Sequence, residues 1–317
     1  MNLFGEEEGE IPVEVILKNI FLVLSKNQML NKMARRWGLR FGASRVVAGE
    51  TIEEAINKVR ELNKQGLVCT LDHLGEFVFS EQEANEAADY CVQTLEAIAT
   101  SGVKCNLSLK MTQLGLDISP EICMNNMKRI LDTATKYGNF VRIDMEDYAH
   151  NEITLKIMQE LRKTYSNVGT VLQAYLYKSE LDVMNLSKEG INLRLVKGAY
   201  KESPIVAFPE KKDVDENFKK LIAIQLLSGS YAAIATHDDE IIRFTKQLEK
   251  QHGYSRDRFE FQMLYGIRAA TQLELAKEGY NMRVYVPFGN DWFGYFMRRL
   301  AERPANVAFA LKGLFKK

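Results

Sequence analysis

INLRLVKGAY, residues 191–200, is a short apolar run with an arginine set inside it. Flanking helical patterns make it a strand that is buried on both faces, and such strands read as near-continuous hydrophobic runs. Arg194 breaks that rule. Burying a guanidinium costs several kcal/mol unless it is paired, because its five donors lose water and it cannot be neutralised by releasing a proton. A protein anion or a bound, electron-rich cofactor has to meet it. Lys197 and Gly198 follow where the strand runs into its loop, a place suited to a phosphate.

Seven further runs resemble this one: GLVCTLDHLG (66–75), VKCNLSLKM (103–111), FVRIDMED (140–147), VGTVLQAYL (168–176), YAAIATHD (231–238), FEFQMLYG (259–266) and NMRVYVPFG (281–289). Helical patterns separate them, at 80–101, 119–137, 152–165, 178–189, 213–229, 239–252 and 267–279. Eight βα alternations without a Rossmann or P-loop glycine fingerprint predict a (βα)₈ barrel rather than a doubly wound sheet. Residues 1–65 are then an N-terminal helical arm, and 66–317 the barrel domain.

Every run carries a polar residue towards its C-terminal end: Asp72, Lys110, Asp144, Gln173, Arg194, His237, Gln262 and Tyr285. Side chains at that end of a barrel share one cavity, so the ring is a candidate site. Each member also has a plainer explanation. Asp72 with Lys110, or Asp144 with Arg194, could be structural ion pairs. His237 could be a hydrogen-bonded core histidine, and the two glutamines could satisfy neighbouring backbone groups. Eight coincidences at one end of eight strands are less economical than a single site.

The chain has 317 residues, a formal net charge of zero and interspersed acids and bases, which excludes a general polyanion-binding surface and makes nucleic acid an unsuitable partner. Cys69, Cys91, Cys105 and Cys123 lack metal or redox spacing and read as reduced structural thiols in a cytosol; the four histidines form no metal-ligand cluster. The acidic start MNLFGEEEGE is unlike a secretion signal, and the apolar run after it is too short to span a bilayer. A basic patch at Lys26, Lys32, Arg35, Arg36 and Arg40 reads as a solvated helix face in preference to a contact with anionic lipid.

YFMRRLAERP (295–304) follows the eighth strand. On a helix, Tyr295, Arg298, Arg299 and Glu302 share one face, with Phe293, Phe296, Met297 and Leu300 roughly opposite. Arginine and glutamate at this spacing usually mark an exposed surface. Turned inward over the barrel mouth, the same face with Lys110 below would trap a small carboxylate, and Tyr285 and Tyr295 would wall its apolar body.

YVPFGNDWFGYFMRRLAERPAN (285–306), DHLGE (72–76), LSLKMTQLGLD (107–117), RIDMED (142–147), LQAY (172–175), LRLVKGAY (193–200), ATHD (235–238) and FEFQMLYG (259–266) together resemble proline dehydrogenase, in order, over roughly residues 45–310. The resemblance implies a distorted barrel whose last helix sits above the mouth. It implies oxidation of L-proline to Δ1-pyrroline-5-carboxylate by hydride transfer from C5 to the N5 of a tightly bound FAD, with electrons passed to a quinone. By position, Arg298, Arg299 and Lys110 would bind the proline carboxylate, with Tyr285, Tyr295 and Leu264 near the ring. Arg194 would lie beside flavin N5, supported by Asp144. Gln173, Lys197, Gly198, Ala199, Tyr200, His237 and Gln262 would hold the rest of the cofactor, and Glu76 would pair with an arginine of the last helix.

A separate pyrroline-5-carboxylate dehydrogenase is implied, since the chain is too short to hold a second catalytic domain. The expected location is cytoplasmic, with peripheral contact to the inner face of the plasma membrane left open. Phe293-Gly294 stands where Tyr-Pro is expected, and Phe288 where a tyrosine is common. The residues alone also allow a Schiff-base lyase with Lys110 or Lys197 as nucleophile, or a carboxylate-binding barrel without turnover.

Overall fold

The computed structural model describes residues 43–75 and 78–302, with the side chains of 301 and 302 excepted, and also Phe21, Val23, Leu24, Met29 and Leu30. Glu76, the basic patch at 26–40, the Glu302 side chain and most of the expected arm lie outside the described residues.

Strands and helices alternate along the chain. The first half runs α1 (Ile52–Lys64), β1 (Val68–His73), α2 (Glu81–Ser101), β2 (Cys105–Leu109), α3 (Pro120–Lys136), β3 (Val141–Ile143), α4 (Tyr148–Arg162) and β4 (Val168–Gln173). The second half runs α5 (Ser179–Lys188), β5 (Leu193–Val196), α6 (Lys211–Leu227), β6 (Ala232–Ala235), α7 (Asp239–His252), β7 (Phe259–Leu264), α8 (Ala269–Lys277), β8 (Met282–Phe288) and α9 (Trp292–Glu302). Neighbouring strands pair in parallel and β8 closes on β1, giving an eight-stranded (βα)₈ barrel of the TIM type.

Local signals set the helix ends. Thr51 caps α1 in a box with Glu54, and Ser80 caps α2 by accepting from the Glu83 N–H. Pro120 opens α3 behind its Ser119 cap, and Gly102, in the left-handed region, ends α2.

The two faces of each strand part company. Leu71, Leu107, Leu109, Ile143, Leu195, Phe261, Val284 and Val286 face the helices and join one hydrophobic core with Leu95, Ile98, Met127 and Phe218. The alternate residues project into the barrel and are largely polar: the Tyr285 hydroxyl crosses the interior from β8 to the carboxylate that follows β3. Ala55, Ile56, Val59 and Leu62 of α1 belong to the same core, so packing against the barrel begins ahead of residue 66, where the strand pattern starts.

The last helix departs from the ring of outer helices. Trp292, Tyr295, Phe296, Met297 and Leu300 cluster with Ala43, Val47 and Leu74, not with the main core. Leu74 lies just past the C-terminal end of β1, where its N–H donates to the Phe288 carbonyl at 2.7 Å. The helix therefore rests at the mouth. Both of its faces are occupied, since Tyr295 and its opposites Phe296 and Met297 are all buried and the two arginines half-buried. Phe288 is fully buried against the rings of His73 and Tyr90, which accounts for an apolar residue there as packing on the outer face of β8.

Candidate active site

Two layers of polar side chains fill the barrel. The lower is a floor of buried charges. Arg142 donates to the carbonyls of Thr170 (2.8 Å) and Asn192 (2.6 Å), and to the Asn192 side chain. Gly169, on the neighbouring strand, makes room for it: a Cβ there would lie 2.9 Å from the guanidinium and closer still to the Asn192 carbonyl. Burial pushes the Arg142 pKa down to about 9, with the Arg194 charge adding to it, and it stays cationic at neutral pH. Glu260 accepts from Arg283 at 2.8 Å, from Gln262 at 2.6 Å and from the Tyr231 hydroxyl at 3.0 Å.

The upper layer lies at the strand ends. Asp144 is its hub: Arg194 Nη1 approaches Oδ1 at 2.5 Å, the Ser108 hydroxyl donates to Oδ1 at 2.7 Å and Tyr285 donates to Oδ2 at 2.7 Å. The Arg194 guanidinium sits over the Tyr285 ring, 5.2 Å from its centroid. Burial, then the charges of Asp144 and Asp72, push the Tyr285 hydroxyl well above its ordinary value, so it remains a donor. Lys110 Nζ lies 3.6 Å from Asp72, a longer ion pair than the first. Both pairs weighed from the sequence therefore exist.

The remaining members gather around β4 to β7. Gln173 donates to the Glu146 carbonyl at 2.8 Å, while its Oε1 is buried without a hydrogen-bond partner. Lys197 is held by Asp215, from α6, and by Asp238 at 2.6 Å. Asp238 also caps α7; burial opposes its ionisation, yet the Lys197 hydrogen bond and the Glu240 N–H bring its pKa down to about 2. His237 Nε2 accepts from the Leu264 N–H at 3.1 Å, which assigns the ring proton to Nδ1. Gly198 has φ of +117°, and a Cβ there would enter the Tyr175 ring at 2.4 Å. Only glycine lets the backbone fold over that ring. Ala199 and Tyr200 follow as exposed residues of the loop after β5.

On α9, Arg298 and Arg299 are half-buried, and the Arg299 guanidinium packs 5.1 Å over the Tyr295 ring. Arg194, Asp144, Tyr285, Asp72 and Lys110 thus form one connected group, Lys197 and His237 belong to a second around β5–β7, and the two arginines sit on the capping helix. Ser108, Asp215, Asp238 and the floor trio Arg142, Glu260 and Arg283 were not singled out from the sequence. Ser108 and the trio each lie two residues before a named member, a spacing that puts them on the same inward face.

Among the buried polar atoms without a hydrogen-bond partner, Arg194 Nε, Gln173 Oε1 and Asp72 Oδ1 lie together inside the barrel at its mouth. A donor and two acceptors left buried side by side at the mouth of a barrel are what a polar ligand would complete. A cation beside an amide, with a glycine turn next to them, fits a flat, electron-rich cofactor with a phosphate tail.

Comparison with known proteins agrees with this geometry. The family model described as proline dehydrogenase matches residues 55–312. The chain is 57% identical over 303 residues to proline dehydrogenase 2 of Bacillus subtilis, covering 96% of this chain and all of that one. It is 40% identical over 311 residues to the proline dehydrogenase of Deinococcus radiodurans, covering 96% and 99%. In structure it resembles proline utilization A (PutA) from Bdellovibrio bacteriovorus inactivated by N-propargylglycine, with a TM-score of 0.80 at 24% identity over 92% of this chain and 37% of that one. The chain belongs to the proline dehydrogenase family.

Proposed function

We propose that the protein oxidises L-proline to Δ1-pyrroline-5-carboxylate with bound FAD, the first step of proline catabolism. The observation that carries this is Arg194: a buried guanidinium, anchored through Nη1 to Asp144 and Ser108, with its Nε left for a ligand. A bound flavin supplies the hydride acceptor. Arg194 sets a fixed cation where the reduced ring becomes electron-rich, and Asp144 and Ser108 keep that cation from rotating away. Gln173 offers its orphaned Oε1 to a ring N–H, with the Glu146 carbonyl holding the amide. Lys197, Gly198, Ala199, Tyr200, His237 and Gln262 line the path for the ribityl and phosphate parts.

Lys110, Arg298 and Arg299 bind the proline carboxylate, and Tyr285 and Tyr295 flank its ring. Tyr285 is itself oriented by Asp144, so one carboxylate aligns the cofactor-side cation and the substrate-side wall. The α9 helix covers the mouth and excludes water.

The proposal extends to a quinone as the electron acceptor, a separate pyrroline-5-carboxylate dehydrogenase for the product, and a cytoplasmic location with peripheral contact to the inner face of the plasma membrane. No described helix is long and apolar enough to cross a membrane.

The test is a visible absorption spectrum of the purified protein before and after anaerobic addition of L-proline. Flavin bands that bleach are the expected result. Bands that persist would remove proline as the substrate, and a colourless protein that takes up no added FAD would remove the cofactor.

A further inference from the structure

Asp72 is 1% exposed, and its Oδ1 has no hydrogen-bond partner. A buried carboxylate normally collects two or more donors, as Asp144 does with three. Asp72 instead relies chiefly on the charge of Lys110. Lys110 of the β2 end lies 3.6 Å from Oδ2; Asp144 after β3 repels it; the Tyr285 hydroxyl of β8 and Arg194 of β5 favour its ionised form more weakly. Burial outweighs these attractions and lifts its pKa from 3.8 to about 6.

Other groups around it are silent. His73, the next residue, is kept neutral by burial and by Lys110, with its pKa near 4 and its ring against Tyr90 at 4.1 Å. The Cys91 thiol of α2 is pushed by burial to about 12. Arg298 and Arg299 are carried by α9, which packs on Leu74, two residues further along the chain.

Suppose Lys110 receives the carboxylate of a ligand. The ammonium then serves two anions, and the one held at 3.6 Å without a direct hydrogen bond is the one that loses. A buried carboxylate deprived of its counter-charge protonates. We propose that Asp72 takes up one proton from solvent when a carboxylate binds at Lys110, so that substrate binding is a proton-coupled exchange of one anion for another. The inference rests on the assignment of Lys110 to the substrate carboxylate. One O–H bond forms on Asp72 and the proton donor is water or buffer; no electrons move. Asp72 acts through Lys110 and is a positioning residue. In its neutral form it becomes a hydrogen-bond donor and no longer competes with the ligand for the Lys110 charge.

The experiment uses cyclopentanecarboxylate, a ring acid with no nitrogen, so that proline's own amine contributes no proton and no oxidation follows. Its binding to the flavin-loaded protein is measured by titration calorimetry about one pH unit above the Asp72 value of about 6, in buffers of different ionisation enthalpy. The expected result is uptake of close to one proton per ligand bound, with Kd rising about tenfold per pH unit above that value. Asp72→Asn should still bind the acid, take up no proton and show a Kd flat with pH. Lys110→Met should lose both binding and uptake. Binding to the unmodified protein without proton uptake overturns the inference alone, as does unchanged uptake in Asp72→Asn. Failure of the unmodified protein to bind the acid at all overturns the carboxylate assignment and the inference with it.

Discussion

The floor and the mouth of this barrel contain the same kinds of side chain and treat them oppositely. At the floor every charge is satisfied: Glu260 accepts three hydrogen bonds, Arg142 donates to two carbonyls and an amide, and Arg283 reaches both Glu260 and the Cys69 carbonyl at 2.5 Å. The floor's orphan is a neutral one, the Thr70 hydroxyl. At the mouth Arg194, Asp72 and Gln173 each keep a buried atom without a partner. Burial alone therefore does not distinguish structural charge from functional charge. Among the charged groups inside the barrel, completeness of hydrogen bonding does, because a buried charge with an unused polar atom is costly unless a ligand meets it.

The sharpest way to break this comparison is to remove one charge from each layer. Glu260→Ala leaves Arg142 and Arg283 facing each other in a dry interior with no anion between them. We expect a loss of about 3–5 kcal/mol, measured by urea unfolding. Arg194→Met should cost clearly less, because Asp144 keeps the Ser108 and Tyr285 donors and is only partly buried. Its main effect should fall on FAD occupancy or on the flavin midpoint potential, which drops without the cation. Equal stability losses in the two variants would erase the distinction between the layers.

The mouth was far more legible in the sequence than the floor. Polar residues at the ends of apolar runs stand out, so Asp72, Lys110, Asp144, Gln173, Arg194 and Tyr285 could be collected without knowing any contact. Arg142, Glu260 and Arg283 sit two residues earlier, inside runs where a charge reads as an edge or an alternation, and only the closed barrel turns that position into a buried layer. The Lys197–Asp215 pair was not legible for another reason. Its partners are brought together by the long connection between β5 and α6, whose path no local pattern specifies. The alternation that begins at residue 66 places α1 in the N-terminal arm, and in the structure its apolar stripe of Ala55, Ile56, Val59 and Leu62 covers β1 and β8.

The α9 helix tests the mouth from above. Arg299→Lys keeps the charge but loses the planar fork that can grip a carboxylate with two parallel hydrogen bonds. With one charge-assisted bond worth roughly 1.5–3 kcal/mol, the proline KM should rise about tenfold or more, while the flavin spectrum stays as it was. An unchanged KM would take Arg299 out of the substrate site and leave its packing over Tyr295 as its role.

The smallest effect is expected at the solvent-facing rim, where charge is neither walled in nor waiting for a ligand. His150 bridges two loops at the mouth end of the barrel, with Nδ1 2.5 Å from Asp147 and Nε2 2.8 Å from Asp117. Partial burial pulls its pKa down, but hydrogen bonds to Asp117 and Asp147 outweigh this and leave it raised above 6.5. A histidine whose folded value exceeds its unfolded one binds its proton more tightly when folded. Its contribution is therefore fully present below pH 6.5 and fades as the pH rises through the folded value. His150→Gln should lower Tm at pH 6 and converge with the unmodified protein towards pH 9, and high salt should shrink the gap, as screening acts on exposed pairs. A gap that stays constant across that range would mean that the bridge works as an ordinary hydrogen bond, and that even at the rim, charge is held in the manner of the floor.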